Sequence, residues 1–248
     1  MHDIFTQYAF GPDERARMDA DGHYVLPGIL TARARADLAG SLARIEHLRA
    51  ELDQHPNHHA AEYDSYLASL IGHPQLVALA RTVLGHDVRY DHCVSLNRPG
   101  GNGGIGWHSH SYAEDRPDLG FVRIFFYVNG FTADDAGLKV LRGSHLLRDE
   151  KLHARSDDDL AQGWLAENAH PVTGAEFVIE GLDAPAGTVV VMWTHAAHAV
   201  TPRRPESDTR WCVVYAYRNP GLTSRARWIT EDFERHPPKG AEALLPLY

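Results

Sequence analysis

Three long apolar runs behind a helical first third predict a mainly β protein. The runs are Phe121 to Val128, Gly187 to Trp193 and Trp211 to Tyr217. Each is strand-length and reads as a strong strand. Ahead of them, alanines and leucines recur at helical spacing from Thr31 to about Leu52. Helices first and strands later suggest antiparallel sheets with helices packed on one side. The best candidate is a double-stranded β-helix, the cupin-like jelly roll, with packed N-terminal helices.

The elements follow in order. Asp21 to Gly28 reads as a turn and a short strand. Thr31 can cap the next helix, in which Leu38, Leu42, Ile45 and Leu48 fall three or four apart. Residues 53–64 are polar and histidine-rich, a loop able to cover a site. His73-Pro74 opens a second helix, Gln75 to Leu84, which Gly85 ends. Val88 to Leu96 has strand character until the glycine-rich stretch 98–104 breaks it. Residues 149–170 read as an inserted loop with a short helix. The expected organisation is a single domain over 1–248: helical support in 1–86, the jelly-roll core in 87–220 and a C-terminal extension in 221–248.

Composition narrows the function classes. The 44% hydrophobic content supports a sizeable core. A formal charge of -9 without a basic stretch argues against a nucleic-acid partner. Cys93 and Cys212 sit inside apolar runs and read as reduced core residues of a cytoplasmic protein. No run resembles a signal peptide or reaches membrane-spanning length, so no membrane partner is expected. A small molecule is the expected partner; these features leave the oligomeric state open.

Two histidine clusters carry the chemistry. His108 and His110 are two residues apart, and His198 lies ninety residues after His108. On a strand, positions i and i+2 share a face, so His108 and His110 can reach one metal ion. A third ligand from a distant strand would complete one face of an octahedron and leave the opposite positions open, the logic of non-haem iron oxygenases. Arg210 follows His198 by twelve residues, and its planar fork suits a carboxylate.

Several segments carry a family resemblance in their order and spacing. They are DGHYVLPGILT at 21–31, HPQLVALARTVLGHDVRY at 73–90, GWHSH at 106–110, GLKVLRGSH at 137–145 and GTVVVMWTHAAHAVTP at 187–202. From Asp21 to about Pro220 the chain resembles the phytanoyl-CoA dioxygenase family of Fe(II)/2-oxoglutarate oxygenases. The resemblance implies Fe(II), 2-oxoglutarate as cosubstrate and O₂, with hydroxylation of a small metabolite as the default reaction. It makes His198 the distal metal ligand in preference to His195. It places Arg210 where the family's arginine grips the far carboxylate of 2-oxoglutarate. Arg142 stands where the family has proline, and His145 reads as a residue fixing a loop.

One departure matters: the family has His-x-Asp or His-x-Glu, and here the second position is His110. Three alternatives stand. His108, His110 and His198 form a three-histidine face; or Glu114 or Asp115 swings in and His110 stands behind it; or iron is not held. The first is favoured, since Glu114 needs an intervening turn. Three neutral imidazoles would leave the full 2+ charge on iron and favour anionic ligands. Two other functions remain beside the dioxygenase: a three-histidine oxygenase that binds substrate directly, without 2-oxoglutarate, and a non-catalytic metal-binding protein.

Other residues are candidates by position. Phe121, Arg123, Phe125 and Tyr127 share a strand face. If it lines the barrel, Arg123 can bind an anionic substrate and Tyr127 the cosubstrate; if it faces outward, Arg123 pairs with a surface acid. Ser95 is a candidate cosubstrate contact. Arg98, leading into the glycine loop, is a candidate for the substrate pocket.

Overall fold

A computed structural model describes residues 2–52, 55–110, 119–149, 151–221 and 227–247. The first part contains α1 (Pro12–Asp21), β1 (His23–Leu26), α2 (Ala32–Glu51), α3 (Ala60–Tyr63), α4 (Ser65–Ile71) and α5 (Pro74–Leu84). Then come β2 (Arg89–Ser95), β3 (Ile105–His108), β4 (Phe121–Tyr127), β5 (Leu138–Leu141), β6 (His153–Ala154), α6 (Asp157–Gln162) and α7 (Trp164–Glu167). The last are β7 (Ile179–Gly181), β8 (Thr188–Trp193), β9 (His198–Val200), β10 (Cys212–Arg218) and α8 (Glu231–Arg235).

The strands form two antiparallel five-stranded sheets. The first has the order β1-β8-β4-β10-β2 and the second β6-β3-β9-β5-β7. In the first sheet, alternate residues serve two cores. Val122, Ile124, Phe126, Val189, Val191 and Val213 pack with Leu38, Leu42, Leu67 and Leu76 of the helices. Phe125, Tyr127, Val190, Met192, Cys212 and Val214 face the second sheet and pack with Leu138, Val140 and Val200. Burying a large apolar side chain is worth about 1.5–3 kcal/mol, so a strand apolar on both faces ties both layers together. The buried hydroxyls of Tyr215 and Tyr217 donate to the Leu67 and Ile71 carbonyls at 2.9 and 2.7 Å, linking the sheet to α4.

The helices form where their end signals lie. Thr31 Oγ1 accepts from the Ala34 amide at 3.2 Å and starts α2. Pro74 sits in the first turn of α5, after His73, whose Nδ1 accepts from Gln75 N at 3.3 Å. No single helix among the described residues is long and apolar enough to cross a membrane.

Several elements differ from the sequence expectation. α1 was not anticipated, although Pro12 and the acids Asp13 and Glu14 mark a helix start. The short strand expected within 21–28 is β1, and it joins the first sheet as its edge strand, paired with β8. Within the expected loop 53–64, residues 60–63 are helical, and the Ser95 amide donates to Asn57 O at 2.8 Å, tying that loop to β2. The 149–170 segment supplies β6 at the edge of the second sheet. There Leu152, Leu160 and Trp107 share a core. The C-terminal extension is part of the main core through Ala241, Leu244 and Leu245.

Asp135 organises the loop that leads into β10. It accepts from Arg203 Nη1 at 2.9 Å, the Arg204 amide at 2.8 Å and Ser207 Oγ at 2.7 Å. Truncating one partner of such a buried, charged network leaves the others unsatisfied. Asp135→Ala should therefore lower unfolding free energy by about 3 kcal/mol. The urea midpoint should fall with an unchanged m-value, and an unaltered midpoint would count against this role.

Candidate metal centre

Antiparallel pairing of β3 with β9 closes the ninety-residue gap in the sequence. His108 lies directly opposite His198, and Val140 of β5 continues the row on the other side of β9. Directly opposed residues project from the same face of a sheet. That face is the interior, as Val140 belongs to the core between the sheets. Trp107, on the opposite face of β3, donates from Nε1 to Asp157 Oδ1 at 2.8 Å. The strand can lie this close to β9 because Gly104 precedes it: φ is +78°, and a Cβ there would meet the Val200 carbonyl oxygen at 2.4 Å.

His110 arrives by a different route from the one expected. β3 ends at His108, so His110 is not the next inward residue of a strand. It lies two residues past the strand end, yet its ring is 4.9 Å from that of His108 and 5.2 Å from that of His198. The His108 and His198 rings are 4.3 Å apart. One nitrogen from each of the three falls within 4.8 Å of the others. The three rings would therefore be able to serve as nitrogen ligands of one divalent ion.

The hydrogen bonds set the ring orientations. His108 Nδ1 meets Gly106 O at 3.0 Å, and His198 Nδ1 meets Ala196 O at 2.9 Å. Each Nδ1 therefore donates its proton to a carbonyl, leaving the Nε2 lone pair for a metal. Burial lowers the pKa of His108, and Arg123 adds to the effect. His110 is pushed well below the ordinary imidazole value by burial and then by Arg123, and His198 by burial, His108 and Arg123. All three are thus neutral at pH 7, the form that binds metal.

A cavity of about 170 Å³ opens beside these rings, with apolar walls from Leu138, Phe125, Val200 and Val214. Three arginines reach it: Arg123, Arg98 and Arg210. Arg123 is buried on the inward face of β4 with Phe125 and Tyr127, not on the outer surface. Arg210 is 1% exposed. Its guanidinium lies 5.2 Å from the Tyr127 ring centre, and it donates to the Ala136 carbonyl and, at 3.3 Å, to Leu96 O. Ala136 has φ +54°, an unusual conformation for a residue with a Cβ, and through it the loop presents that carbonyl to Arg210. Tyr127 borders the cavity with its hydroxyl against Cys212, whose thiol burial pushes up to about 11.

The other candidates fall as follows. Ser95 is buried, but Val94 and Leu96 line the cavity instead, so alternation along β2 turns Ser95 to the other face. His195 is buried beside Phe121 and is not one of the three clustered rings. His145 Nε2 donates to Asp19 O at 3.0 Å, away from the cavity. Glu114 and Asp115 lie outside the described residues. Among the lining residues that were missed are two aromatic ones: His58, from the expected loop, stacks on Trp228 of the C-terminal extension, with ring centres 4.6 Å apart. The tryptophan of the C-terminal extension was the available signal.

Sequence comparison matches residues 10–210 to the phytanoyl-CoA dioxygenase family. The chain belongs to that family. Membership makes it a non-haem iron, 2-oxoglutarate-dependent enzyme. No curated protein sequence matches it. Among solved structures, the 2-oxoglutarate-dependent carbocyclase SnoK from nogalamycin biosynthesis is 15% identical with a TM-score of 0.68, covering 96% of this chain and 94% of its own. HygX from Streptomyces hygroscopicus, with nickel and 2-oxoglutarate bound, is 14% identical with a TM-score of 0.63 and covers 91% and 94%. EctD from S. alaskensis, with 2-oxoglutarate and 5-hydroxyectoine, is 18% identical with a TM-score of 0.62 and covers 86% and 79%. At these identities the likeness of this family member to them is one of fold.

The depressed histidines predict a pH dependence. Burial lowers the folded-state pKa of His108, His110 and His198, and takes His145 to about 4. The unfolded chain binds these protons near pH 6.5, so between that value and the folded one it holds more protons than the native state. The stability of the metal-free protein should therefore fall as pH is lowered from about 7 to 5. Urea midpoints across that range will test this; a flat or rising midpoint would contradict it.

Proposed function

We propose that the enzyme oxidises a small, anionic metabolite, by hydroxylation, at an iron held by His108, His110 and His198. The convergence of three neutral imidazoles at one end of a cavity that Arg210 also enters carries this reading. The donor set suits the metal: nitrogen ligands accept ferrous iron, and none carries a charge to offset the ion. The chemistry that bound Fe(II) and 2-oxoglutarate supply is reduction of O₂, one oxygen passing to succinate as the oxo acid loses CO₂ and the other to the substrate. The chain's part is binding, orientation and exclusion of water.

The Gly106 and Ala196 carbonyls hold His108 and His198 in the tautomer that aims Nε2 inward. Arg210 receives the distal carboxylate of 2-oxoglutarate, with Tyr127 beside it. The walls formed by Phe125, Leu138, Val200 and Val214 keep the site dry and strengthen each charge–charge contact. Arg123 acts at the other end. Its charge is felt by all three histidines, so it sets a positive field where the substrate meets the metal. That field favours a substrate bearing a carboxylate, phosphate or phosphonate. His58 and Trp228 add to the aromatic part of the wall, so residues 1–248 act as one oxygenase domain whose helical and C-terminal segments both reach the site.

Anaerobic titration of the Fe(II)-loaded protein with 2-oxoglutarate tests the assignment. A saturating visible charge-transfer band is expected; iron bound without such a band would contradict chelation by the oxo acid. His110→Ala should weaken Fe(II) binding by at least about tenfold, while His110→Asp should retain iron. If metal affinity is indifferent to His110→Ala, the three-histidine face is wrong.

A further inference from the structure

Arg98 and Arg210 are directly opposed in an isolated antiparallel bridge. The Arg98 amide donates to Arg210 O at 2.9 Å and the Arg210 amide to Arg98 O at 2.8 Å. Side chains of such a pair leave the same face, and like charges placed there repel. Both guanidiniums enter the cavity, and both act on Tyr127 and Cys212, so they converge on one end of it. Neither arginine is ion-paired among the described residues, and the buried Nε of each has no hydrogen-bond partner. Arg210 spends its terminal nitrogens on the Ala136 and Leu96 carbonyls. Arg98 is steadied by Asn102, whose Oδ1 accepts from Arg98 Nη1 at 3.0 Å and from the Gly104 amide at 3.1 Å.

Two opposed, like-charged groups in a dry cavity need a shared counter-ion. A carboxylate, with two oxygens and about four acceptor positions, can take donors from both. We propose that the distal carboxylate of 2-oxoglutarate is held between Arg98 and Arg210, and that Arg98 is the second arm of this clamp and not a substrate contact. The proposal rests on the assignment of Arg210 to that carboxylate. It also separates the charges by task. Arg123 lies four residues from Tyr127 along β4, about 13 Å at the usual strand rise, and is left to serve the substrate at the metal end.

The test is anaerobic titration of Fe(II)-loaded wild type, Arg98→Gln, Arg98→Lys and Arg210→Gln with two oxo acids. One is 2-oxoglutarate; the other is 2-oxovalerate, which keeps the chelating end and lacks the distal carboxylate. The readout is the charge-transfer band, not turnover. Arg98→Gln should weaken 2-oxoglutarate binding about ten- to a hundredfold, the effect of losing a charged hydrogen bond, and leave 2-oxovalerate within about twofold. Arg98→Lys should recover part of the loss. Unchanged 2-oxovalerate binding also reports an intact fold and metal site. If Arg98→Gln leaves 2-oxoglutarate unchanged while Arg210→Gln weakens it, the clamp fails and the assignment of Arg210 stands. Equal weakening of both oxo acids by Arg98→Gln would make Arg98 structural and overturn the proposal. If Arg210→Gln changes nothing, the underlying assignment of Arg210 is wrong.

Discussion

The pairing of β3 with β9 is the constraint on which the site depends. It sets His108 opposite His198 on the inner face of the second sheet and brings together two candidate metal ligands that lie ninety residues apart in the chain. The other parts serve that register. Gly104 removes the Cβ that would strike β9, and Trp107, hydrogen-bonded to Asp157, anchors the outer face of β3. A register slip by one residue would turn His108 outward and Trp107 inward, destroying the site and the outer core together.

Electrostatics gives the cavity its direction. Three guanidiniums and four imidazoles line it, and no Asp or Glu does among the described residues. In a low-dielectric space such an excess of positive charge is unfavourable until anions enter. The site therefore carries a standing preference for negatively charged ligands. The neutral imidazoles and the repelling arginines are two results of the same burial. The fold bears this cost through networks such as Asp135 with Arg203, Arg204 and Ser207, and through the left-handed Ala136 that offers its carbonyl to Arg210.

The long central strands were legible in the sequence because both their faces are buried, so their apolar runs have few breaks. His198 and Arg210 stood out beside such runs, and His108 by its spacing of two from His110. Shorter elements left no trace: β5, β6 and β7 have two to four residues, too few to show a period. The position of Ser95 shows a different limit, since alternation says which residues share a face but not which face is inside. His110 was reached by the right residue type and spacing but not by strand geometry, because β3 stops at His108. The His58–Trp228 contact joins residues 170 apart, one in a loop that looked polar and one in the C-terminal extension, and an alanine gives no sign that its φ will be positive.

The central claim is a metal face made of three imidazoles and no carboxylate. An anaerobic crystal structure of the protein with Fe(II) and 2-oxoglutarate tests it most directly. The account predicts iron bonded to a ring nitrogen of each of His108, His110 and His198. Iron bonded to His108, His198 and a carboxylate such as Glu114 or Asp115, with His110 off the metal, would contradict it.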